Sequence, residues 1–121
     1  MKRIMIVDDA SFMRLILKNI LVDNGYEIVA EAANGEEAVR LYDIYKPDIV
    51  TMDVTMPIMD GLAATEAILD QHPNAKIIVC SAMGQRNLIM QMISAGAKDF
   101  IVKPFQGDRI LAAIDQLFDR V

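Results

Sequence analysis

The 121-residue sequence contains one cysteine, one histidine and no tryptophan. A single cysteine cannot form an internal disulfide, and this composition supplies few of the nitrogen and sulfur ligands that zinc and copper sites use. The longest unbroken apolar run covers five residues, 110–114, whereas a helix that spans a membrane needs about 20. A disulfide scaffold and a transmembrane helix are therefore excluded.

Basic residues are in the minority, because 12 lysines and arginines stand against 17 aspartates and glutamates, for a net charge of −5. This balance disfavours a nucleic acid or an anionic membrane as the main partner. The apolar stretch behind Lys2 and Arg3 covers only residues 4–7, which is too short for a signal peptide. Dinucleotide-binding and P-loop glycine motifs do not occur. We therefore expect a cytoplasmic protein that lacks these nucleotide sites.

Apolar residues make up 54% of the chain and follow a repeating pattern. Five short apolar runs, at residues 3–8, 26–32, 48–53, 76–81 and 99–102, alternate with segments of helical periodicity. This alternation predicts a single α/β domain over residues 1–121, with five mostly parallel strands. The clearest helical stripes are Met13, Leu17, Ile20 and Leu21, then Ala38, Leu41, Tyr42 and Tyr45, and finally Ile110, Ile114, Leu117 and Phe118.

Polar side chains end several of the predicted strands. Asp8 and Asp9 follow the first run, Asp53 ends the third, Ser81 ends the fourth and Lys103 follows the fifth. Since ligands of open α/β sheets bind outside the carboxyl ends of the strands, these residues mark the candidate site. Three converging carboxylates repel one another unless a cation lies among them, and their oxygens favour Mg²⁺ or Mn²⁺. The alternative is that the aspartates only cap a helix and open a loop.

A lysine and a hydroxyl beside carboxylates suit phosphoryl transfer to a carboxylate nucleophile. Lys103 would stabilise the transferred group as a point charge, and Ser81 would donate a hydrogen bond. Acyl transfer is less favoured, because no serine is paired with a base. Cys80 is interpreted as a small buried hydrophobe. The methionines Met13, Met83, Met90 and Met92 are interpreted as core filling in preference to an adaptable binding surface.

Six short motifs carry a resemblance to a known family. They are Val7-Asp8-Asp9, Met52-Asp53, Met56-Pro57, Asp60-Gly61, Ser81-Ala82 and Lys103-Pro104. Together they resemble the receiver domains of response regulators over the whole chain, and the surrounding strings are similar to those of the single-domain chemotaxis regulators. The resemblance implies a flavodoxin-like (βα)5 fold with strand order 2-1-3-4-5 and a cis peptide bond between Lys103 and Pro104.

The resemblance also implies a set of roles. Asp53 would be the phosphoacceptor, taking the phosphoryl group from a CheA-like sensor histidine kinase. Mg²⁺ would be held by Asp8, Asp9, Asp53 and the backbone carbonyl of Thr55, with Ser81 and Lys103 contacting the phosphoryl group. The domain would promote its own phosphorylation and dephosphorylation without a turnover substrate, so it is not an enzyme in the ordinary sense.

The predicted output surface is formed by the fourth helix, the fifth strand and the fifth helix, with Met90, Phe100, Val102, Gln106, Ala113 and Gln116 named in it. Phosphorylation would draw Ser81 inward and shift Phe100, although simple core packing is an equal alternative for Phe100. The expected partners are a flagellar motor switch protein (FliM/FliY-like) or an archaeal adaptor, and a CheC/CheX-type phosphatase. We expect a monomer.

Three other functions stay open at the level of sequence. A stand-alone phosphorelay intermediate would use the same site and pass its phosphoryl group on to a second histidine protein. A Mg²⁺-dependent phosphatase is less favoured, since Asp53-Val54-Thr55 lacks a general acid two residues after the nucleophile. A receiver separated from a DNA-binding output domain is the third alternative.

Overall fold

The computed structural model describes residues 2–119, in which strands and helices alternate. The strands are β1 (Arg3–Val7), β2 (Glu27–Ala32), β3 (Ile49–Asp53), β4 (Ile77–Ser81) and β5 (Asp99–Val102). The helices are α1 (Ser11–Asp23), α2 (Gly35–Tyr45), α3 (Gly61–Gln71), α4 (Arg86–Ala95) and α5 (Gly107–Asp119). All strand pairs are parallel and the order is β2-β1-β3-β4-β5, which confirms the predicted flavodoxin-like topology.

The sheet is covered on both faces, as its continuous apolar strands predict. Because successive strand side chains point to opposite faces, Met5 and Val7 join a core with α2, α3 and α4, whereas Ile4 and Ile6 join a core with α1 and α5. Within residues 2–119 no helix is both long and apolar enough to cross a membrane.

The predicted helix boundaries have local physical causes. The Asn34 side chain accepts a hydrogen bond from the Glu37 backbone N–H at 2.9 Å, and the Glu37 carboxylate accepts from the Ala33 N–H at 2.8 Å, which together form the cap of α2. Gly96 ends α4 with φ at 123°, a left-handed conformation that a side chain rarely adopts. These contacts fix where α2 begins and where α4 ends.

Some packing predictions were wrong. Tyr45, predicted on the inner stripe of α2, is exposed at its last turn. Met83 and Met90 are 80% and 56% exposed, whereas Met92 is fully buried. The reason is that α4 turns only the stripe of Ile89 and Met92 inward, and Met90 lies about 100° around the helix from Ile89. Met83 precedes the helix, in the β4–α4 loop.

Gly61 allows α3 to begin directly against the end of β3. Its N–H donates to the Val54 carbonyl at 2.8 Å, and a Cβ at this position would overlap the Asp53 carbonyl oxygen. We expect Gly61→Ala to lower the free energy of unfolding by about 1–3 kcal/mol, measured in urea, because backbone has to move to admit the methyl group. The matched control is Gly107→Ala, where the added Cβ would meet only Ile20 at an ordinary 3.8 Å. Equal stabilities of the two variants would contradict the close-approach explanation.

Candidate functional site

Three carboxylates meet at the carboxyl edge of the sheet. Asp8 and Asp9 follow β1 and Asp53 ends β3, and these two strands are neighbours. One oxygen from each carboxylate lies within 4.8 Å of those of the other two. Asp8 and Asp53 are buried, whereas Asp9 is exposed. An all-oxygen donor set with one open side fits a hard divalent cation such as Mg²⁺.

Lys103 supplies the positive charge inside this cluster. Its Nζ lies 2.8 Å from Asp8 Oδ2 and 3.1 Å from Asp53 Oδ1. Burial alone would lower the pKa of Lys103, but the hydrogen bonds and charges of the two aspartates outweigh it and raise that pKa. The Lys103–Pro104 peptide bond is cis, as the resemblance implies. Lys103 therefore stays protonated between the two buried acids.

Asp53 is an unusual carboxylate because its pKa is raised to about 6. Burial is the main cause, followed by the negative charge of Asp8, and Lys103 and the Val54 N–H offset only part of the increase. The two oxygens of Asp53 also differ. Oδ1 accepts both of its hydrogen bonds within residues 2–119, from Val54 N at 2.9 Å and Lys103 Nζ at 3.1 Å. This leaves Oδ2 as the oxygen available to a reacting group.

Asp8 is positioned by contacts that sequence reasoning missed. Its Oδ1 accepts from the Ala10 N–H at 2.9 Å, and its backbone carbonyl accepts from Arg14 Nη1 at 2.6 Å. Arg14 is held in turn by Glu31, 3.2 Å from its Nε. Since Ala10 is the N-cap residue of α1 and makes no side-chain cap, the simple helix-cap alternative for Asp8 is not supported. The one sequence feature that could have indicated this contact is a basic residue, Arg14, one turn into the helix that follows Asp8.

Ser81 ends β4 close to this edge. The register pairs Asp53 with Cys80, so Ser81 lies one residue further towards the loops. The Ser81 hydroxyl is fully buried and, like those of Thr51 and Thr65, has no hydrogen-bond partner among residues 2–119. Cys80 is buried as predicted, and burial raises the pKa of its thiol. Ser81 therefore places a buried hydroxyl at the same edge of the sheet as the three carboxylates.

Thr55 and Gln85 connect the two loops beside the site. The Gln85 side chain accepts from the Ala82 N–H at 2.8 Å and donates to the Thr55 hydroxyl at 3.0 Å. The sequence analysis predicted Thr55 as a metal ligand through its backbone carbonyl, and it did not select Gln85. Glutamine at a helix start carries no strong sequence signal, so this bridge is visible only in the structure.

The predicted output surface is largely exposed. Met90, Phe100, Val102, Gln106 and Gln116 are exposed, so the core-packing alternative for Phe100 is wrong. The prediction of Ala113 as a surface residue is also wrong, because its side chain is only 1% exposed. It lies on the inner stripe of α5 with Ile110, Ile114 and Leu117. Phe100, Val102, Pro104, Gln106 and Arg109 contribute to a shallow groove of about 270 Å³.

Comparison with known proteins assigns the family. The response regulator receiver domain model matches residues 4–115, and the chain belongs to this family. It is 59% identical over 114 residues to the chemotaxis protein CheY of Bacillus subtilis, covering 94% of this chain and 95% of the relative. It is 58% identical over 116 residues to CheY of Thermotoga maritima, covering 96% and 97%. These similarities confirm the prediction of a CheY-like chemotaxis response regulator, a signalling domain of the two-component type.

A solved structure supports the same assignment. The chain matches one from the crystal structure of the CheX–CheY–BeF3–Mg²⁺ complex of Borrelia burgdorferi with a TM-score of 0.93 and 38% sequence identity. The match covers 98% of this chain and 90% of that chain. The fold thus agrees with that of a receiver domain.

Proposed function

We propose that Asp53 is the phosphoacceptor of this chemotaxis regulator and takes its phosphoryl group from a phosphohistidine of a CheA-like sensor kinase. Asp53 Oδ2 attacks phosphorus, a P–O bond forms, and the P–N bond of the phosphohistidine breaks. The electron pair of that bond stays on the imidazole nitrogen, and the product is an acyl phosphate. Attack of water on phosphorus later releases inorganic phosphate and restores the carboxylate.

One observation carries this proposal, which is the asymmetric environment of Asp53. Lys103 and the Val54 N–H hold Oδ1, so Oδ2 is left as the nucleophile. Lys103 already contacts the carboxylate and is positioned to neutralise an incoming phosphoryl oxygen. Ser81 supplies a buried hydroxyl that lacks an acceptor within residues 2–119, and a phosphoryl oxygen would provide one.

Asp8, Asp9, Asp53 and the Thr55 backbone carbonyl would hold Mg²⁺, or Mn²⁺ in its place. The bound cation would neutralise charge on the phosphoryl oxygens. The protein's own residues do the rest, since Arg14 orients the Asp8 backbone and Lys103 bridges the Asp8 and Asp53 carboxylates. The domain promotes its own phosphorylation and dephosphorylation and has no turnover substrate.

The partners belong to the same proposal. The exposed surface with Met90, Phe100, Val102 and Gln106 would bind a flagellar motor switch protein of the FliM/FliY type. We favour this partner over an archaeal adaptor because the Bacillus subtilis and Thermotoga maritima relatives, at 59% and 58% identity, are bacterial chemotaxis proteins. A CheC/CheX-type phosphatase is proposed from the similarity to the CheX–CheY complex. A cytoplasmic location and a monomeric single domain stay predictions.

The test is intact mass spectrometry after incubation with Mg²⁺ and phosphoramidate. We expect the wild-type protein to gain the mass of one phosphoryl group, and the gain to be absent in EDTA, because the carboxylates alone repel the anionic donor. A known receiver domain in parallel shows that the donor is active. No gain beside a modified control would reject Asp53 as a phosphoacceptor, and a full gain in EDTA would reject the metal requirement.

A further inference from the structure

Gln85 joins the two loops that border the phosphoacceptor. Its Oε1 accepts from the Ala82 N–H at 2.8 Å, in the β4–α4 loop, and its Nε2 donates to the Thr55 hydroxyl at 3.0 Å, in the β3–α3 loop. The Gln85 side chain is half-buried, and it does not cap the N-terminus of α4. Both hydrogen-bonding ends of one amide are thus used to tie the loops together.

The Ala82 N–H lies on the side of the sheet where a phosphoryl group on Asp53 would be held. Cys80 is level with Asp53 across the β3–β4 pair, so Ser81 and Ala82 lie one and two residues beyond Asp53 on the loop side of the sheet. A phosphoryl group on Asp53 Oδ2 would extend in this direction. It would bring three strong acceptor oxygens to the buried Ser81 hydroxyl and to the Ala82 N–H that follows it. Gln85 Oε1 already occupies this second donor.

We propose that Gln85 is a latch that competes with the phosphoryl group for the Ala82 N–H. This inference rests on the proposed function of Asp53. In the unphosphorylated protein the amide of Gln85 holds the donor and ties it to Thr55. When Asp53 carries a phosphoryl group, the Ala82 N–H turns to a phosphoryl oxygen, and Gln85 releases both of its partners.

Release of Gln85 reaches α4 through the backbone. The β4–α4 loop has only four residues, 82–85, and its tip contains exposed Met83 and Gly84, whose φ of 85° permits a sharp turn. The Gln85 carbonyl accepts the Ile89 N–H at 3.0 Å, and Ile89 is one of the two buried residues of α4. A shift of Gln85 therefore moves the first turn of the helix that carries Met90. Gln85 is a positioning residue that couples the phosphoryl group to the output surface.

The latch predicts that removing the Gln85 hydrogen bonds increases the affinity for a phosphoryl analogue, whereas disruption of the site would decrease it. Gln85→Met keeps the length of the side chain but removes both hydrogen bonds, and beryllofluoride with Mg²⁺ serves as the phosphoryl probe. We expect the variant to bind beryllofluoride about two- to tenfold more tightly than the wild type, since one competing hydrogen bond is removed. Thr55→Val weakens only one end of the latch and should give a smaller gain. Gln91→Met, on an exposed position of α4, is the matched control and should leave affinity unchanged.

The second measurement follows the latch in the wild-type protein by nuclear magnetic resonance. Beryllofluoride should shift both the Ala82 amide resonance and the Gln85 side-chain NH₂ resonances, because both change partner. Unchanged Gln85 resonances, or affinity that stays equal or falls in Gln85→Met while the wild type binds the probe, would overturn the latch alone. Failure of the wild type to bind beryllofluoride and to accept a phosphoryl group would overturn the proposed function together with the latch.

Discussion

Asp53→Asn is expected to abolish phosphoryl uptake completely and, in the same protein, to raise stability. Asparagine keeps the Oδ1 acceptor for Val54 and Lys103, but its amide nitrogen replaces the nucleophilic Oδ2. Intact mass after incubation with Mg²⁺ and phosphoramidate should show no phosphorylated species. Modification to the wild-type extent would show that another residue is the acceptor.

The gain in stability follows from the raised pKa of Asp53, about 6 in the folded protein against an ordinary value of 3.8. An acid whose pKa is raised by folding does not lower the free energy of unfolding at pH values below its unfolded pKa, because it is protonated in both states. For Asp53 the destabilisation grows as pH increases from about 4 to 6 and is complete at pH 7. In EDTA at pH 7, Asp53→Asn should therefore be more stable by about 1–3 kcal/mol. Urea unfolding at several pH values checks the sign. The advantage should shrink towards zero as pH falls to 4, and an advantage that grows on acidification would contradict the assignment.

Lys103→Met is expected to slow phosphoryl uptake by about 100-fold, because the preorganised charge beside the acceptor is lost. The initial rate of mass gain with phosphoramidate measures this effect. Lys98→Met, an exposed lysine on the segment before β5, should react at the wild-type rate. A slow rate in Lys103→Met beside a wild-type rate in Lys98→Met would assign the effect to phosphoryl transfer and not to the loss of any lysine.

The same variant should bind Mg²⁺ more tightly. Lys103 Nζ lies 2.8 Å from Asp8 Oδ2 and 3.1 Å from Asp53 Oδ1, so it competes with a cation for the two carboxylates. Its removal leaves two buried negative charges without a counter-ion, and a divalent ion then gains more by binding. Isothermal titration calorimetry should show a lower Kd for Mg²⁺. Weaker metal binding by Lys103→Met would contradict the competition and assign the lysine a supporting structural role.

Periodicity and strand ends were sufficient to predict most of this fold. Continuous apolar runs cover the central strands because those strands are buried on both faces, and the chain order of the runs identifies which polar residues share an edge. Asp8, Asp53 and Lys103 are grouped in this way by their positions in the sequence alone. Their strand order came from the family resemblance, since periodicity does not state which strands are neighbours.

Contacts made by loop side chains were beyond sequence reasoning. Gln85 joins the nearby Ala82 N–H to the distant Thr55 hydroxyl. Arg14 likewise joins the nearby Asp8 carbonyl to the distant Glu31 carboxylate, and no residue pattern encodes such distant partners. Ala113 failed for a different reason. A small apolar residue suits either face of a helix, so only its neighbours on α5 reveal that it packs inward. Met90 was wrong in the opposite direction, because it was predicted in the core and is exposed. Methionine occurs in cores and on binding surfaces, so only the position of Met90 around α4 shows that it faces outward.

The sparse anchoring of α4 has a consequence for how the molecule distributes its stability. Only Ile89 and Met92 of its ten residues are buried, and no side chain caps its first turn. A helix held by so little apolar contact opens locally at a small fraction of the free energy that global unfolding requires. The central strands can thus stay intact while this helix exchanges between arrangements. A modest chemical event at Asp53 that acts on α4 therefore has to overcome only the local stability of this helix.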